Sequence, residues 1–268
     1  MSVSSVVVVT GASSGIGRVA AETFAARGCR VFGTARDLRK VPALPGVEFV
    51  EMDVREEDSV QAGIESIIAR AMRIDVLVNN AGMMMIGAVE ETATAEAAAL
   101  FDTNVLGMLR TTRAVLPHMR KQRRGRIVNV SSVFGVLPAP YMGMYAATKH
   151  AVEGLSESLD HEVRQFGIRA TLVQPAFTRT NLDANAPRAN APIADYDRER
   201  DLVERSVADS VGSAPGPQSV ANTIVEAALG PWRMRCTPPG QASILTKLRR
   251  FMPAGPVDAS LRKKLGLA

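Results

Sequence analysis

Residues Val6-Val-Val-Val-Thr-Gly-Ala-Ser-Ser-Gly-Ile-Gly17 place a short apolar run directly before a glycine-rich loop. A continuous β-branched run followed at once by turn residues predicts a strand that is buried on both faces in a parallel sheet. The alanine-rich stretch from Arg18 to Arg27 comes next and predicts a helix. A strand, a glycine loop and a helix in this order can bind a pyrophosphate at the helix N-terminus. A plain strand-to-helix connection that happens to be rich in glycine is the alternative.

The glycines of this loop follow the pattern Gly-x-x-x-Gly-x-Gly rather than the more familiar Gly-x-Gly-x-x-Gly. This spacing resembles that of the short-chain dehydrogenase/reductase family. A glycine loop alone is a weak signal, so other motifs of the family must be present before the resemblance carries weight. It implies that the cofactor's pyrophosphate is bound by Gly11, Ser13, Ser14, Gly15, Ile16 and Gly17.

Further along the chain, Tyr145-Ala-Ala-Thr-Lys149 places a phenol and an ammonium four residues apart. On a helix that spacing puts both groups on one face, one turn apart. A fixed positive charge favours the phenolate and lowers the tyrosine pKa from its usual value of about 10, toward neutral pH. Such a pair suits a general acid and base. The same spacing also occurs on many solvated helix faces, so the pair gains its meaning from the other motifs.

Several other segments match the family in the expected order. Asn79-Asn-Ala-Gly82 follows the apolar run Ile74–Val78, and its small Ala-Gly pair would let a cofactor lie close to the main chain. The resemblance implies that Tyr145 exchanges a proton with the substrate, while Ser132 hydrogen-bonds the same substrate oxygen. Lys149 would bind the nicotinamide ribose, and Asn104 would hold a water that passes protons to solvent. The remaining implied cofactor contacts are Asp53, Val54, Asn80, Ala81, Gly82, Pro175, Thr178 and Thr180.

The end of the predicted second strand, Arg30–Ala35, bears on the choice of nicotinamide cofactor. An acidic side chain at this place holds the ribose 2′-hydroxyl of NAD, whereas an arginine accommodates the 2′-phosphate of NADP. Arg36 stands here, and Arg18 adds positive charge nearby, so we expect NADP(H) to be preferred. Asp37 leaves NAD(H) as an alternative if its carboxylate turns inward.

Apolar runs alternate with helical patterns along the chain, which predicts an α/β fold with a doubly wound parallel sheet. The family implies a seven-stranded Rossmann sheet, and we expect one domain over residues 1–268. The other predicted strands are Val47–Met52, Ile74–Val78, Arg126–Val130, Ile168–Val173 and Met234–Thr237. The other predicted helices are Glu56–Met72, Glu96–Arg113, Tyr145–Phe166, Asp197–Val211 and Ser219–Leu229.

Two segments fall outside this alternation. The family implies that residues 181–216 form a lid over the substrate, and a plain surface excursion is the alternative. The tail, residues 241–268, could pack on a sister subunit, complete the substrate pocket or touch a membrane surface. Pro253 and Pro256 interrupt its apolar face and favour the first two. The side chains that suggest an apolar substrate pocket are Met83–Met85, Phe134, Leu137, Met142, Met144 and Phe177.

Composition limits the partners of the chain. Its 46% hydrophobic and 22% charged residues are typical of a globular protein. We expect no membrane insertion and a cytoplasmic location, because no apolar run is long enough to span a bilayer and the N-terminus lacks a signal-peptide pattern. The cysteines and histidines show no metal-ligand spacing, so we expect no metal. The net charge of +5 comes without a nucleic-acid-binding motif, and we expect no nucleic-acid partner.

These motifs predict an NADP(H)-dependent oxidoreductase that transfers a hydride between nicotinamide and a carbonyl or secondary alcohol on an apolar small molecule. The C-terminal part resembles the hydroxysteroid and retinol dehydrogenase branch, and family habit implies a homodimer or homotetramer. A protein that binds NADP(H) as a signal and catalyses nothing is the alternative. The presence of the Ser132, Tyr145 and Lys149 set favours the enzyme.

Overall fold

The structure is a computed structural model that describes residues 4–180, 186–240, 242–246 and 253–267. The first residues of the predicted lid, 181–185, lie outside these ranges, as do residues 241, 247–252 and 268 of the predicted tail.

All the strands are parallel and form a single sheet. In chain order they are β1 Val6–Val9, β2 Arg30–Ala35, β3 Val47–Glu51, β4 Val76–Asn79, β5 Gly125–Val130, β6 Ile168–Val173 and β7 Arg235–Cys236. Across the seven-stranded sheet the order is β3-β2-β1-β4-β5-β6-β7, so the winding reverses between β1 and β4. The predicted doubly wound parallel sheet is confirmed.

Helices cover both faces of the sheet. They are α1 Gly15–Ala26, α2 Glu57–Ala71, α3 Thr94–Phe101, α4 Gly107–Gln122, α5 Gly143–Val163, α6 Asp197–Gly212, α7 Gln218–Leu229 and α8 Ala254–Lys264. Short 3₁₀ turns lie at Leu38–Lys40, Val133–Gly135, Arg164–Phe166 and Ala194–Tyr196. Within the described residues, no helix combines the length and the apolar character needed to cross a bilayer.

The valine run of β1 shows why this sheet needs two helical layers. Val6 and Val8 point into a core that α2, α4 and α5 complete, whereas Val7 and Val9 point into a second core with α1 and α7. All four are at most 4% exposed. Side chains alternate between the two faces of a strand, so an unbroken apolar run can be buried only where helices cover both faces.

Three predicted helices have a boundary that is wrong by three residues or more. Helix α1 begins at Gly15, three residues before the predicted start, because the end of the glycine loop is already helical. The helix expected over Glu96–Arg113 is instead α3, a π-helical turn at Asp102–Leu106, and α4, which runs on to Gln122. Helix α4 ends where Arg123 adopts a left-handed conformation with φ of 56°. The other predicted elements are confirmed with boundaries shifted by two residues or fewer, except α5, which ends at Val163.

A third apolar cluster lies at the carboxyl edge of the sheet and draws on distant parts of the chain. It contains Met84 and Phe134 from the loops after β4 and β5, and Val203 from α6. Leu265 and Leu267, directly after α8, are 4% and 7% exposed and belong to the same cluster. The described end of the tail therefore packs against the loops that surround the sheet edge.

Candidate active site

A cleft of about 510 Å³ opens at the carboxyl edge of the sheet, where the winding reverses. In doubly wound sheets this switch point is the usual ligand site. The residues of the cleft wall that the sequence predicted are Gly11, Ser13, Ser14, Gly15, Ile16, Arg36, Asp53, Val54, Asn80, Ala81, Gly82, Ser132, Tyr145, Lys149, Pro175, Thr178 and Thr180. One cleft thus brings together all but two of the predicted site residues.

The glycine loop is joined to the Asn79–Gly82 segment by hydrogen bonds and by a close approach of the two backbones. The Thr10 hydroxyl accepts hydrogen bonds from the backbone N–H groups of Asn80 and Ala81, both at 3.0 Å. The Asn80 side chain donates to the carbonyl of Thr10 at 2.9 Å. Gly11 has φ of +65°, and a Cβ there would lie 2.9 Å from Cα of Ala81. The loop therefore has its shape because no side chain separates it from the next strand end.

Gly17 is one of the two predicted site residues that do not line the cleft. A Cβ at Gly17 would lie 2.3 Å from Nδ2 of Asn80 and 2.5 Å from the carbonyl oxygen of Gly11. Gly17 lies beneath the loop, where helix α1 comes close to the side-chain amide of Asn80. This close packing is a reason for glycine at position 17, and the expected pyrophosphate contact stays a prediction.

At one end of the cleft, positive charge gathers beyond β2 and β3. Arg36 lines the cleft, and Arg55 lines it as well, directly after the predicted Asp53-Val54 pair. Arg55 Nη2 lies 2.6 Å from Asp53 Oδ2, and these hydrogen bonds hold the pKa of the Asp53 carboxyl below its ordinary value. The sequence analysis did not identify Arg55, although its position next to Asp53 was the available signal.

Two charged residues considered for cofactor choice lie away from the cleft. The Asp37 carboxylate accepts hydrogen bonds from the backbone N–H and the guanidinium of Arg39, at 3.1 and 2.9 Å, and caps the 3₁₀ turn that follows β2. Arg18 pairs with Glu22 one turn further along α1, at 3.1 Å. Neither Asp37 nor Arg18 belongs to the cleft wall.

Two buried hydroxyls in the cleft wall have no hydrogen-bond partner among the described residues. They belong to Thr34 at the end of β2 and Ser131 after β5, which are 1% and 2% exposed. Buried hydroxyls normally make a hydrogen bond, so these two suit a polar ligand in the cleft. Together with the glycine loop, the donors of the wall fit a dinucleotide: backbone amides for phosphates, Arg36 for a further phosphate, and hydroxyls for ribose.

At the opposite end, the cleft wall contains Ser132, Tyr145 and Lys149. Their residues are 7%, 7% and 8% exposed, and the Lys149 ammonium lies 5.7 Å from the centre of the Tyr145 ring. Lys149 Nζ donates to the carbonyl of Val130 at 3.0 Å. Burial lowers the pKa of Lys149 to about 8, and the negative charge of Glu153 acts in the opposite direction. The Ser132 hydroxyl accepts from the backbone N–H of Phe134 at 3.2 Å and keeps its proton free to donate.

Asn104 is the second predicted residue outside the cleft wall. It sits in the π-helical turn, 3% exposed, and its amide is fully engaged with Met83: Nδ2 donates to the carbonyl and Oδ1 accepts from the N–H, both at 2.8 Å. Nδ2 also donates to the Thr148 hydroxyl at 3.1 Å. The amide thus fixes the main chain beside Gly82, at which a Cβ would lie 3.9 Å from Lys149 Nζ. Its expected role in holding a water stays a prediction.

The wall beyond Tyr145 is apolar. Phe134 packs edge-to-face on Tyr145 and on Phe177, with ring centres 6.4 and 5.7 Å apart. Every side chain that the sequence assigned to an apolar pocket belongs to the cluster around these rings. Four of them also line the cleft, namely Met83, Met84, Phe134 and Phe177.

Fold and cleft together define a dinucleotide-binding protein of the Rossmann type. A family model described as short chain dehydrogenase matches residues 5–191. The chain therefore belongs to the short-chain dehydrogenase family, whose members are oxidoreductases that bind nicotinamide cofactors and act on small molecules.

Named relatives place the chain within this family. It is 42% identical over 180 residues to a protein named 3-ketodihydrosphingosine reductase from Bacteroides thetaiotaomicron. That match covers 67% of this chain and 66% of the relative, so the chain aligns with just under two thirds of the relative's length.

Solved structures of the family carry both nicotinamide cofactors. A short-chain dehydrogenase/reductase from Burkholderia phymatum in complex with NAD is 31% identical, with a TM-score of 0.80 over 92% of this chain and 93% of that one. A metagenomic short-chain oxidoreductase in complex with NADP is 28% identical, with a TM-score of 0.70 over 88% of this chain and 98% of that one.

Proposed function

We propose that this chain is an NADP(H)-dependent oxidoreductase that transfers a hydride between nicotinamide and a carbonyl or secondary alcohol of an apolar small molecule. The observation that carries this proposal is the convergence of Ser132, Tyr145 and Lys149 at one end of a cleft whose other end holds the glycine loop and Arg36. A protein that only sensed NADP(H) would not need a hydroxyl, a phenol and an ammonium at the same end of the cleft.

The bound nicotinamide supplies or accepts the hydride. Tyr145 gives its phenolic proton to the substrate oxygen during reduction and takes it back during oxidation. Ser132 donates a hydrogen bond to the same oxygen, because its hydroxyl already accepts from Phe134 and has its proton to spare. Lys149 favours the phenolate of Tyr145 through its positive charge and binds ribose hydroxyls. The side chains of Phe134 and Phe177, which line the cleft, exclude water from the reacting atoms.

NADP(H) is the proposed cofactor because of the charges at the far end of the cleft. Arg36 lines the wall and forms no ion pair among the described residues, so its guanidinium is available for a 2′-phosphate. Asp37, which would favour NAD, has its carboxylate engaged by Arg39 and lies outside the wall. Arg55 balances the charge of Asp53, so that carboxylate would repel a phosphate less.

The proposed substrate is an apolar molecule with a ketone or a secondary hydroxyl. The cluster beyond Tyr145 is built from methionine and aromatic side chains, which adapt to apolar ligands. We assign residues 186–216, the described part of the predicted lid, to a lid over the substrate, since helix α6 contributes Val203 and Val207 to that cluster. The Bacteroides relative is named as the reductase of a keto compound, in agreement with a carbonyl substrate.

The decisive experiment is Tyr145→Phe. We expect the variant to bind NADPH with unchanged affinity, measured by fluorescence, and to lose nearly all turnover, at least about 1,000-fold, because the general acid is gone. Turnover would be measured as NADPH oxidation against a panel of apolar ketones and as NADP reduction against the matching alcohols.

Tyr196→Phe is the matched control, because it removes a phenolic hydroxyl that donates to Glu90 at the surface. It should keep wild-type turnover within a few-fold. Turnover of Tyr145→Phe close to that of the control would contradict the proposal. Tight NADPH binding without turnover of any compound by the wild type would favour the sensor.

A further inference from the structure

A buried carboxylate lies on the same face of α5 as the proposed catalytic pair. Glu153 follows Lys149 by four residues, as Lys149 follows Tyr145, so the three side chains occupy successive turns of one helix face. Glu153 is 5% exposed and does not line the cleft. The mechanism above gives this carboxylate no task.

Both oxygens of Glu153 accept hydrogen bonds from neighbouring strands. Oε1 accepts from Nε2 of Gln174, directly after β6, and Oε2 accepts from Nε of Arg235 in β7, each at 3.0 Å. A Cβ at Gly135 would lie 2.9 Å from Glu153 Cγ and 3.0 Å from Oε1, so the glycine leaves room for this side chain. Two donors, one of them a guanidinium, stabilise the ionised form of a carboxylate.

The surroundings of Lys149 show where this charge acts. The Tyr145 ring centre lies 5.7 Å from the Lys149 ammonium, and Glu153 follows one turn later on the same face of α5. The Val130 carbonyl accepts a hydrogen bond from this ammonium, and the neutral Asn104 amide lies close to Gly82. Gln174 and Arg235 donate to the Glu153 carboxylate. Within the described part of the chain, Glu153 is thus the carboxylate that opposes the loss of the Lys149 proton on burial.

We propose that Glu153 is a positioning residue that keeps Lys149 protonated at the cleft, with Gln174, Arg235 and Gly135 holding its carboxylate in place. This inference rests on the proposed function, because it gives Glu153 a task through the proposed ribose-binding and phenol-activating lysine. A purely structural role, in which Glu153 only ties β7 to α5 through Arg235, is the competing explanation.

The chain offers a matched pair of variants to separate the two explanations. Glu153 and Glu157 both lie on α5 and both pair with Arg235, the second through Oε1 at 2.5 Å from Nη1. Glu153→Gln and Glu157→Gln therefore each remove one carboxylate charge from Arg235. Glu153→Gln alone removes the charge that acts on Lys149.

The measurement is the pH dependence of Lys149 acetylation in the folded, full-length chain. Trace amounts of acetic anhydride would be added between pH 6 and pH 10, and Lys149 labelling would be quantified by mass spectrometry against the exposed Lys121. Only the neutral amine reacts, so the midpoint reports the Lys149 pKa without cofactor or turnover. We expect a midpoint near 8 in the wild type and in Glu157→Gln.

In Glu153→Gln the midpoint should fall by about one pH unit, which raises Lys149 labelling at pH 7 about fivefold. An unchanged midpoint in Glu153→Gln, or equal shifts in both variants, would overturn the inference. If Glu153→Gln does not fold, Glu153→Asp draws the carboxylate back by one methylene and should give a smaller shift in the same direction. Failure of the proposed function would appear instead in the Tyr145→Phe assay, which this labelling does not use.

Discussion

The two ends of the cleft are built by different physical means. The cofactor end, formed by the loops after β1, β2 and β4, is held by backbone groups in close contact, such as Gly11 against the Cα of Ala81 and the Ala12 N–H that donates to the Thr34 carbonyl at 2.9 Å. The substrate end, formed after β5 and β6 with α6 and the described tail, is held by side chains from distant parts of the chain.

Long-range contacts dominate the substrate end. The backbone of Ile86 pairs with the segment around Arg188 in an isolated parallel bridge. Glu91 accepts from the N–H of Ile193 at 2.9 Å and forms an ion pair with Arg200 of α6. Leu265, near the end of the chain, reaches the same cluster. None of these contacts follows from a local motif.

This difference teaches which end can change. A backbone in contact with backbone has no room for one extra carbon, whereas apolar side chains can exchange volume with their neighbours and repack. We therefore expect single small substitutions at the cofactor end to weaken cofactor binding strongly. Substitutions at the substrate end should change substrate selectivity gradually. Each prediction below tests one side of that comparison.

Among the variants that test this comparison, Gly17→Ala is expected to have the largest effect. Its Cβ would overlap Nδ2 of Asn80 and the Gly11 carbonyl, and the latter is main chain that cannot turn away. Overpacking of this kind costs roughly 1–3 kcal/mol or more, and relief of the clash would displace the glycine loop. We expect the melting temperature to fall by several degrees and NADPH affinity, measured by fluorescence titration, to fall at least about 100-fold.

Gly154→Ala is the control for that variant. Gly154 lies on the exposed face of α5, and a Cβ there would meet nothing within 4 Å. Alanine in a helix interior is favoured over glycine by about 0.5–1 kcal/mol, so this variant should be slightly more stable and bind NADPH normally. Normal NADPH binding by Gly17→Ala would show that the cofactor end tolerates what the comparison forbids.

The same contrast explains what the sequence could predict. Valine runs and glycine spacing are local, and they located β1, β2 and β6 to the residue. The motif residues reached one cleft because parallel strands end at the same edge of a sheet. The close packing of Gly17 could not be predicted, since a motif shows that a glycine is needed but not which neighbour excludes a side chain there.

Features that depend on contacts between distant residues could not be predicted. The pairing of Arg55 with Asp53 places a second guanidinium in the wall, and whether an arginine turns inward depends on its surroundings. The insertion of Leu265 and Leu267 beside Phe134 closes a loop of more than a hundred residues, for which no spacing rule exists.

An intermediate effect is expected for Arg36→Asp, which tests whether charge rather than close packing sets cofactor choice at the otherwise rigid end. Hydrogen bonds to a charged group contribute about 1.5–3 kcal/mol, so the ratio of kcat/KM for NADPH to that for NADH should fall about 10- to 100-fold. The melting temperature should stay near that of the wild type. Arg113→Asp is the control, since Arg113 is exposed and pairs with Glu57 outside the cleft. Equal ratios in the wild type and Arg36→Asp would place 2′-phosphate recognition elsewhere.

The smallest effect is expected at the substrate end, for Glu91→Gln. The Glu91 carboxylate is 2% exposed; it pairs with Arg200 and accepts from the N–H groups of Ile193 and of Ala88, the latter at 2.8 Å. The glutamine side chain of the variant can keep one of these hydrogen bonds to the backbone, but it lacks the negative charge that pairs with Arg200. Breaking a buried pair costs about 3–5 kcal/mol, and here Asp197 retains part of the Arg200 charge pairing, so the loss should be smaller.

Because Glu91 holds α6 and the segment before it, and not the glycine loop, its loss should loosen the proposed lid alone. We expect the KM for the ketone to rise about tenfold and the melting temperature to fall by a few degrees, while the NADPH dissociation constant changes little. Glu90→Gln, next in the chain and bonded to the exposed Tyr196 hydroxyl, is the control and should leave KM within a few-fold. A parallel loss of NADPH affinity in Glu91→Gln would mean that the two ends of the cleft are not mechanically separate, because a side-chain contact at one end would then be shaping the backbone cradle at the other.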